Sequence, residues 1–288
     1  MKKNRLERLL VLVLTRRCNQ RCGFCPQTFM DRDMDESTLD AALAGLLPLL
    51  RTPSRVKLFG GEPLLRPDLV TRAVEFLAAK SPRTAIELPT NGRGLPAVAE
   101  LLARRPKVEV FISTPSAKSA RLPGATHNFL LPPGEAAAKT ARRLIEARRM
   151  GFSRFNFLPA YFVPWTPAQL EGLALTFSAL RVVLSKMAAA GRAAEVVNLT
   201  RRGSTPLYND GLVVDADGEV YSSNLVLADA VWPHRKRLSL GHVRRPRALA
   251  VRARSETSQV LKDSFSDEIL ASSLAADAAL TAFCRALA

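Results

Sequence analysis

Leu9-Leu10-Val11-Leu12-Val13-Leu14-Thr15-Arg16-Arg17-Cys18-Asn19-Gln20-Arg21-Cys22-Gly23-Phe24-Cys25 sets a six-residue apolar run just ahead of three cysteines. Six consecutive Leu and Val side chains suit a strand buried on both faces. With the basic start Met1-Lys2-Lys3-Asn4-Arg5 ahead of it, the run imitates a signal peptide. It is, however, shorter than the roughly 7–15 apolar residues of such a segment. Thr15-Arg16-Arg17-Cys18 also offers no small-residue cleavage site. The segment therefore reads as the first strand of a cytosolic, cytoplasmic protein. Cys18, Cys22 and Cys25 follow with Cys-x3-Cys-x2-Cys spacing, while Cys284 stands alone. A disulfide framework needs paired, dispersed cysteines in a small secreted chain, so the clustered thiols point to metal.

Working outward, apolar β-branched runs alternate with longer amphipathic stretches. Strands are expected over 9–14, 55–59, 84–88, 107–112, 154–158 and 195–199, and helices over 36–50, 67–79, 95–104, 134–150 and 167–190. In the last helix Leu170, Leu173, Phe177, Leu180, Leu184 and Met187 recur at spacings of three and four, and Thr166-Pro167 supplies an N-cap and a first-turn proline. Repeated strand–helix alternation implies parallel strands and an α/β architecture. After Leu199 the rhythm breaks at the linker-like Arg201-Arg202-Gly203-Ser204-Thr205-Pro206. Then 212–214 and 219–221 flank Asp215-Ala216-Asp217-Gly218, a hairpin signal. A weak helical tail runs to Ala288. The expected division is 1–200 and 201–288.

The 288 residues are 47% hydrophobic, 24% charged and 6% aromatic, with mean hydropathy +0.02. This excludes a disordered chain. No stretch approaches the roughly 18 uninterrupted apolar residues of a spanning helix, so no membrane role is expected. Lys and Arg number 42 against 26 Asp and Glu, a net charge of +16. Half of that surplus lies in 231–254, which holds eight basic residues and no acidic one. The stretch 235–254 reads as a meeting surface for a polyanion or as a solvated face. With only Trp232 near it, and no RNA-binding appendage, nucleic acid is not the expected partner.

Three thiolates from one short loop can hold three irons of a [4Fe–4S] cluster and leave the fourth iron open to a small ligand. Zinc prefers a closed tetrahedral set, and the candidates for a fourth ligand, His127, His234, His242 and Cys284, are remote in sequence. Further motifs follow the expected strands: Gly60-Gly61-Glu62-Pro63 after the second, Pro89-Thr90-Asn91-Gly92 after the third and Ser113-Thr114 after the fourth. In barrels of parallel strands, chemistry collects at the strands' carboxyl ends, and all of these groups fall there.

With Phe24 just before the third cysteine, this pattern resembles the radical S-adenosylmethionine (radical SAM) superfamily. The resemblance implies a partial (β/α)6 TIM-like barrel of parallel strands with a short C-terminal hairpin and helix extension. It implies Cys18, Cys22 and Cys25 as ligands of one [4Fe–4S] cluster, with S-adenosylmethionine as the second cofactor. It implies Phe24, Gly60, Gly61, Glu62, Pro63, Thr90, Asn91, Ser113 and Asn156 as cofactor-binding residues. Here glycines allow close backbone approach and Glu62 offers a carboxylate to the methionine ammonium. Reductive cleavage would generate a 5′-deoxyadenosyl radical that abstracts hydrogen from substrate, with an external flavodoxin- or ferredoxin-type electron donor.

The stretch from Tyr208 to Tyr221 resembles the hairpin that opens SPASM or twitch extensions, but Ser222, Ser223 and Asn224 follow it where a cysteine would be expected. An auxiliary cluster therefore lacks ligands. Cys284 has two readings, a buried helix residue or, as in peptide epimerases of the superfamily, a catalytic hydrogen-atom donor. Tyr161 and Trp165 either wall the substrate pocket or pack ordinarily, and His127 reads as a loop residue. The leading expectation for the substrate is a ribosomally made peptide. With eight residues ahead of the first strand, that peptide would be held by the barrel or presented by a separate leader-binding protein. The rivals are a small metabolite (nucleoside, sugar or amino acid) and a non-catalytic iron–sulfur or zinc protein.

Overall fold

A computed structural model describes residues 8–51, 54–200, 211–246, 249 and 254–288. The expected linker 201–206, residues 1–5 and 208–210, and Arg247 and Arg252 of the basic stretch lie outside the described residues. In chain order the elements are β1 (Leu9–Thr15), α1 (Glu36–Leu46), β2 (Arg55–Gly60), α2 (Pro67–Lys80), β3 (Ala85–Thr90), α3 (Ala99–Arg104), β4 (Val108–Ile112), β5 (Thr126–Leu131), α4 (Ala137–Met150), β6 (Arg154–Pro159), α5 (Pro167–Ala189), β7 (Glu195–Val196), α6 (Val197–Thr200), β8 (Gly211–Val214), β9 (Glu219–Tyr221), β10 (Ser239–His242), α7 (Arg254–Ser264) and α8 (Asp267–Leu287). This is an α/β fold with a mostly parallel sheet, as expected of a partial TIM-like barrel.

The chain divides into two compact units. The first comprises Met1–Cys22, Pro26–Val110 and Tyr208–Ser264. Its strands run in the order β10-β9-β8-β1-β2-β3. β1 lies parallel to both β2 and β8, with Leu12 opposite Leu58 and Val214. Its residues Leu10–Thr15 are all buried, because strands cover both edges and other side chains both faces. β9 and β10 turn antiparallel. Gly218 makes that reversal possible: its φ is +85°, and a Cβ there would stand 2.7 Å from the His242 ring.

The second unit comprises Gly23–Cys25, Phe111–Leu207 and Phe265–Ala288. The end of β4 pairs with β5, β5 with β6 and β6 with β7, all parallel. Side chains alternate along β5 and β6: His127, Phe129, Leu131, Phe155 and Phe157 are buried, whereas Asn128, Leu130, Asn156 and Leu158 are half-buried. A capping box between Thr166 and Gln169 starts α5. α5 and α8 are each long and apolar enough, by length and composition, to cross a membrane, although polar and charged residues interrupt both. Phe177 of α5 stacks on Phe283 of α8 at 4.8 Å, and Phe283 meets Phe157 edge-on at 5.4 Å. Packing against β6 and each other covers part of those apolar faces, while Leu175, Val182 and Leu274 stay exposed.

Several expectations are corrected. Residues 113–133 read as a connection in the sequence, yet Thr126–Leu131 is β5. Its run Thr-His-Asn-Phe-Leu-Leu mixes polar and apolar residues, and pairing on both edges, not propensity, makes it a strand. Asn156 accordingly sits in the sixth strand, not the fifth. His127 is 2% exposed, not a loop residue. Extended structure expected over 195–199 stops at Val196. Beyond it the Asn198 amide takes the place of a strand, accepting from Phe157 N–H (2.8 Å) and donating to Phe157 O (2.9 Å). The 36–50 helix ends at Leu46 and tightens to a 3-10 turn containing Pro48. The basic stretch contributes β10 and a 3-10 helix over Asp229–Leu238. In that stretch Arg237 pairs with Glu256 and Asp263.

Candidate cofactor site

The carboxyl ends of β1, β2 and β3 are fastened together by the residues singled out in the sequence. A Cβ on Gly60 would stand 2.3 Å from the Thr15 carbonyl oxygen, and one on Gly61 2.2 Å from that of Arg17. Neither position tolerates a side chain. Gly61 N–H donates to Thr15 O (3.0 Å) and Glu62 N–H to Arg17 O (2.9 Å). The close approach these glycines permit is thus to the start of the cysteine loop.

Glu62 is 2% exposed. Its Oε1 accepts from Leu64 N–H (3.0 Å) and the Thr90 hydroxyl (2.7 Å), and its Oε2 from Asn91 N–H (2.7 Å). Three donors on a carboxylate with about four lone-pair positions leave one for a ligand ammonium. Pro63, buried, opens the 3-10 turn that supplies Leu64 N–H. Asn91 Nδ2 donates to Asn19 Oδ1 (2.6 Å), so the end of β3 reaches into the cysteine loop. Asn19 was not anticipated; a polar residue beside a cysteine carries no distinguishing pattern of its own.

Cys22 is exposed, and Cys18 and Cys25 are half-buried; none is joined in a disulfide. Gln20 N–H donates to Cys18 Sγ (3.4 Å). Partial burial, and next the nearby Cys18, raise the Cys22 thiol pKa. Among the described residues no three His, Cys, Asp or Glu side chains stand at chelating separations. The donor set is three accessible thiols on one short loop, which suits an iron–sulfur cluster. Two of the four candidates for a fourth zinc ligand are engaged elsewhere. His242 uses both ring nitrogens, on Asp217 O (3.0 Å) and Arg244 N–H (3.2 Å). His127 is bound through Nδ1 to Ile112 O (2.8 Å) among Phe129, Phe152 and Phe155. Burial, and to a lesser degree Arg143, holds its pKa down at about 4 against the opposing Ile112 bond.

Below the loop, Asp33 accepts from Thr15 Oγ1 (2.5 Å) and from Arg17. Burial alone would raise its pKa, but these bonds and the charges of Arg17 and Arg66 hold it below the carboxylate range. The other expected site residues belong to the second unit. Phe24 and Ser113 are half-buried. Asn156 donates to Asn128 Oδ1 (2.8 Å), pairing it with a residue that the missed strand had hidden. Cys284 is half-buried on α8, and burial, then Asp277, raise its pKa and keep the thiol protonated. Tyr161 donates to Asp277 (2.9 Å) and Trp165 Nε1 to Ala160 O (2.9 Å), both from buried positions.

Residues 12–174, more than half of the chain, match the family model of the Radical SAM superfamily. The GTP 3',8-cyclase of Streptomyces coelicolor is 40% identical over 94 residues, 31% of this chain and 27% of that relative. The GTP 3',8-cyclase of Helicobacter pylori is 33% identical over 125 residues, 41% of this chain and 38% of that relative. These matches span well under half the length of either cyclase. Among solved structures, a tagged anSMEcpe with bound AdoMet has TM-score 0.63 at 14% identity, covering 90% of this chain and 81% of that one. Streptococcus suis SuiB bound to its precursor peptide SuiA has TM-score 0.57 at 13% identity, covering 77% and 61%. At these identities the likeness is one of fold.

Proposed function

We propose a function from one premise: the chain belongs to the radical SAM superfamily, whose cofactors are a [4Fe–4S] cluster and S-adenosylmethionine. In this reading it is an enzyme that cleaves S-adenosylmethionine reductively and abstracts a hydrogen atom from its substrate. Bound together, the two cofactors supply one-electron cleavage of the sulfonium and a 5′-deoxyadenosyl group that takes the hydrogen. Cys18, Cys22 and Cys25 hold the cluster and leave its fourth iron to the second cofactor. Glu62, fixed by Leu64, Thr90 and Asn91, presents its remaining lone pair to the methionine ammonium. The observation that carries the reading is this fastening of Glu62 to the cysteine loop through Gly60, Gly61 and Asn91–Asn19.

For the substrate we favour a ribosomally made peptide. Support comes from fold similarity over 77% of the chain to SuiB, whose structure holds a precursor peptide. The half-buried Asn128–Asn156 amide pair offers donors and acceptors of the kind that match a peptide backbone. A second reading, a small metabolite, draws on the 40% identity to the GTP 3',8-cyclase. Cytoplasmic placement belongs to the proposal, since clustered reduced thiols persist in a reducing compartment.

Anaerobic reconstitution tests this. The chain should bind about four irons and, with dithionite and S-adenosylmethionine, release 5′-deoxyadenosine; Cys22→Ala should do neither. A zinc-loaded chain that never cleaves the cofactor refutes the proposal. Faster 5′-deoxyadenosine release with a peptide encoded beside the gene, rather than with GTP, decides between the substrates.

A further inference from the structure

Resting on that reading, the geometry points to residues 211–229 as a clamp that holds the cysteine loop in shape for its cluster, fastening it on both sides. Upstream, Arg16 stands two positions before Cys18. Its Nε and Nη2 donate to both carboxylate oxygens of Asp215 at 2.8 and 2.7 Å. The side chains are 1% and 0% exposed. Asp215 follows β8 directly, and the parallel register sets it beside the end of β1. It is itself held: its N–H donates to Glu219 O (2.9 Å) and its Oδ1 accepts from Ala216 N–H (2.8 Å). The Trp232 ring covers the guanidinium at 4.7 Å.

Downstream, Pro26 follows Cys25. Asp229 N–H donates to Pro26 O (2.8 Å), Thr28 N–H to Leu227 O (2.9 Å) and Thr28 Oγ1 to Asp229 Oδ1 (3.2 Å). Gln27 and Ala228 form an antiparallel bridge. Arg32 reaches Asp217 at 2.7 Å. Cys18 to Cys25, between the two fastenings, are half-buried or exposed.

Binding three thiolates to one cluster orders the loop, and fixed ends reduce the chain entropy that ordering costs. A buried ion pair adds little net stability over apolar residues of like size. What the Arg16–Asp215 pair adds is direction: two parallel bonds that set the chain entering Cys18.

The test uses the reconstituted full chain and Asp229→Pro. Asp229 opens a 3-10 helix, and Ala228 before it has φ −76° and ψ 139°, a conformation a pre-proline residue adopts. The substitution removes the N–H given to Pro26 and the acceptor of Thr28. We expect the apo chain to stay folded, with a melting temperature lower by a few degrees at most, and iron release to a chelator faster by about fivefold or more. The second variant, Arg16→Met with Asp215→Leu, replaces the buried pair by apolar side chains and should also fold and release iron faster. Release at the wild-type rate from both variants overturns the clamp. A wild-type chain that never takes up iron instead refutes the function reading, an outcome distinct from all chains loading and releasing alike.

Discussion

Replacing Glu62 by Gln removes one charge and one acceptor from a position with no room to adjust. The carboxylate accepts from Leu64 N–H and Thr90 Oγ1 on one oxygen and from Asn91 N–H on the other. In the glutamine variant an amide NH2 replaces one of those oxygens. Kept in the native orientation it confronts Asn91 N–H; flipped, it confronts Leu64 N–H and the hydroxyl. Either way at least one buried backbone donor is orphaned, at about 1–3 kcal/mol, and the surviving bonds fall from charge-assisted to neutral strength. The sum is about 2–4 kcal/mol of folding stability, independent of any cofactor. With a urea slope of about 3 kcal/mol/M, the unfolding midpoint of the cofactor-free chain falls by about 1 M. Tryptophan fluorescence or circular dichroism in a urea series measures it. A shift below about 0.3 M would show that the three donors do not hold Glu62 as described. S-adenosylmethionine affinity, measured on the reconstituted variant at low denaturant, then reports separately on the remaining lone pair.

Gly61→Ala places a methyl 2.2 Å from the Arg17 carbonyl oxygen, so the cysteine loop must move; expected is a loss of about 3 kcal/mol and lowered iron content. Gly23→Ala, with nothing within 4 Å, is the control and should stay within about 0.5 kcal/mol; equal effects would refute the packing argument. His127 predicts acid sensitivity. Its native pKa near 4 lies below the ordinary 6.5, so the unfolded chain binds the proton more readily. Its stabilising contribution is therefore complete above pH 6.5 and lost as pH falls toward 4, about 3 kcal/mol in all. Urea midpoints across that range should fall less steeply for His127→Gln than for wild type, and parallel curves would refute the assignment.

Strands β1 to β4 and β6, helices α1 to α5 and the hairpin were legible because each is a local pattern: an apolar run, a 3.6-residue period or a turn dipeptide between strands. The cysteine loop, Gly60–Pro63, Thr90 and Asn91 were legible because each falls where a strand ends. β5 was not, since Thr126–Leu131 has no run or alternation strong enough to stand out and becomes a strand by pairing with β4 and β6. Without β5, His127 could not be recognised as a core residue nor Asn128 as the partner of Asn156. Asn198 was equally hidden, because an amide closing a strand edge leaves no periodicity.

By itself the sequence determined where thiols, glycines and the carboxylate sit along the chain, and that each follows a strand, because those features are short-range. Only the tertiary structure decided what Gly60 and Gly61 pack against, which donors hold Glu62, and that Asp215 and Asp229, some 200 residues from the cysteines, brace the loop carrying them. Those contacts depend on the parallel pairing of β8 with β1, a long-range register to which no local pattern of side chains points.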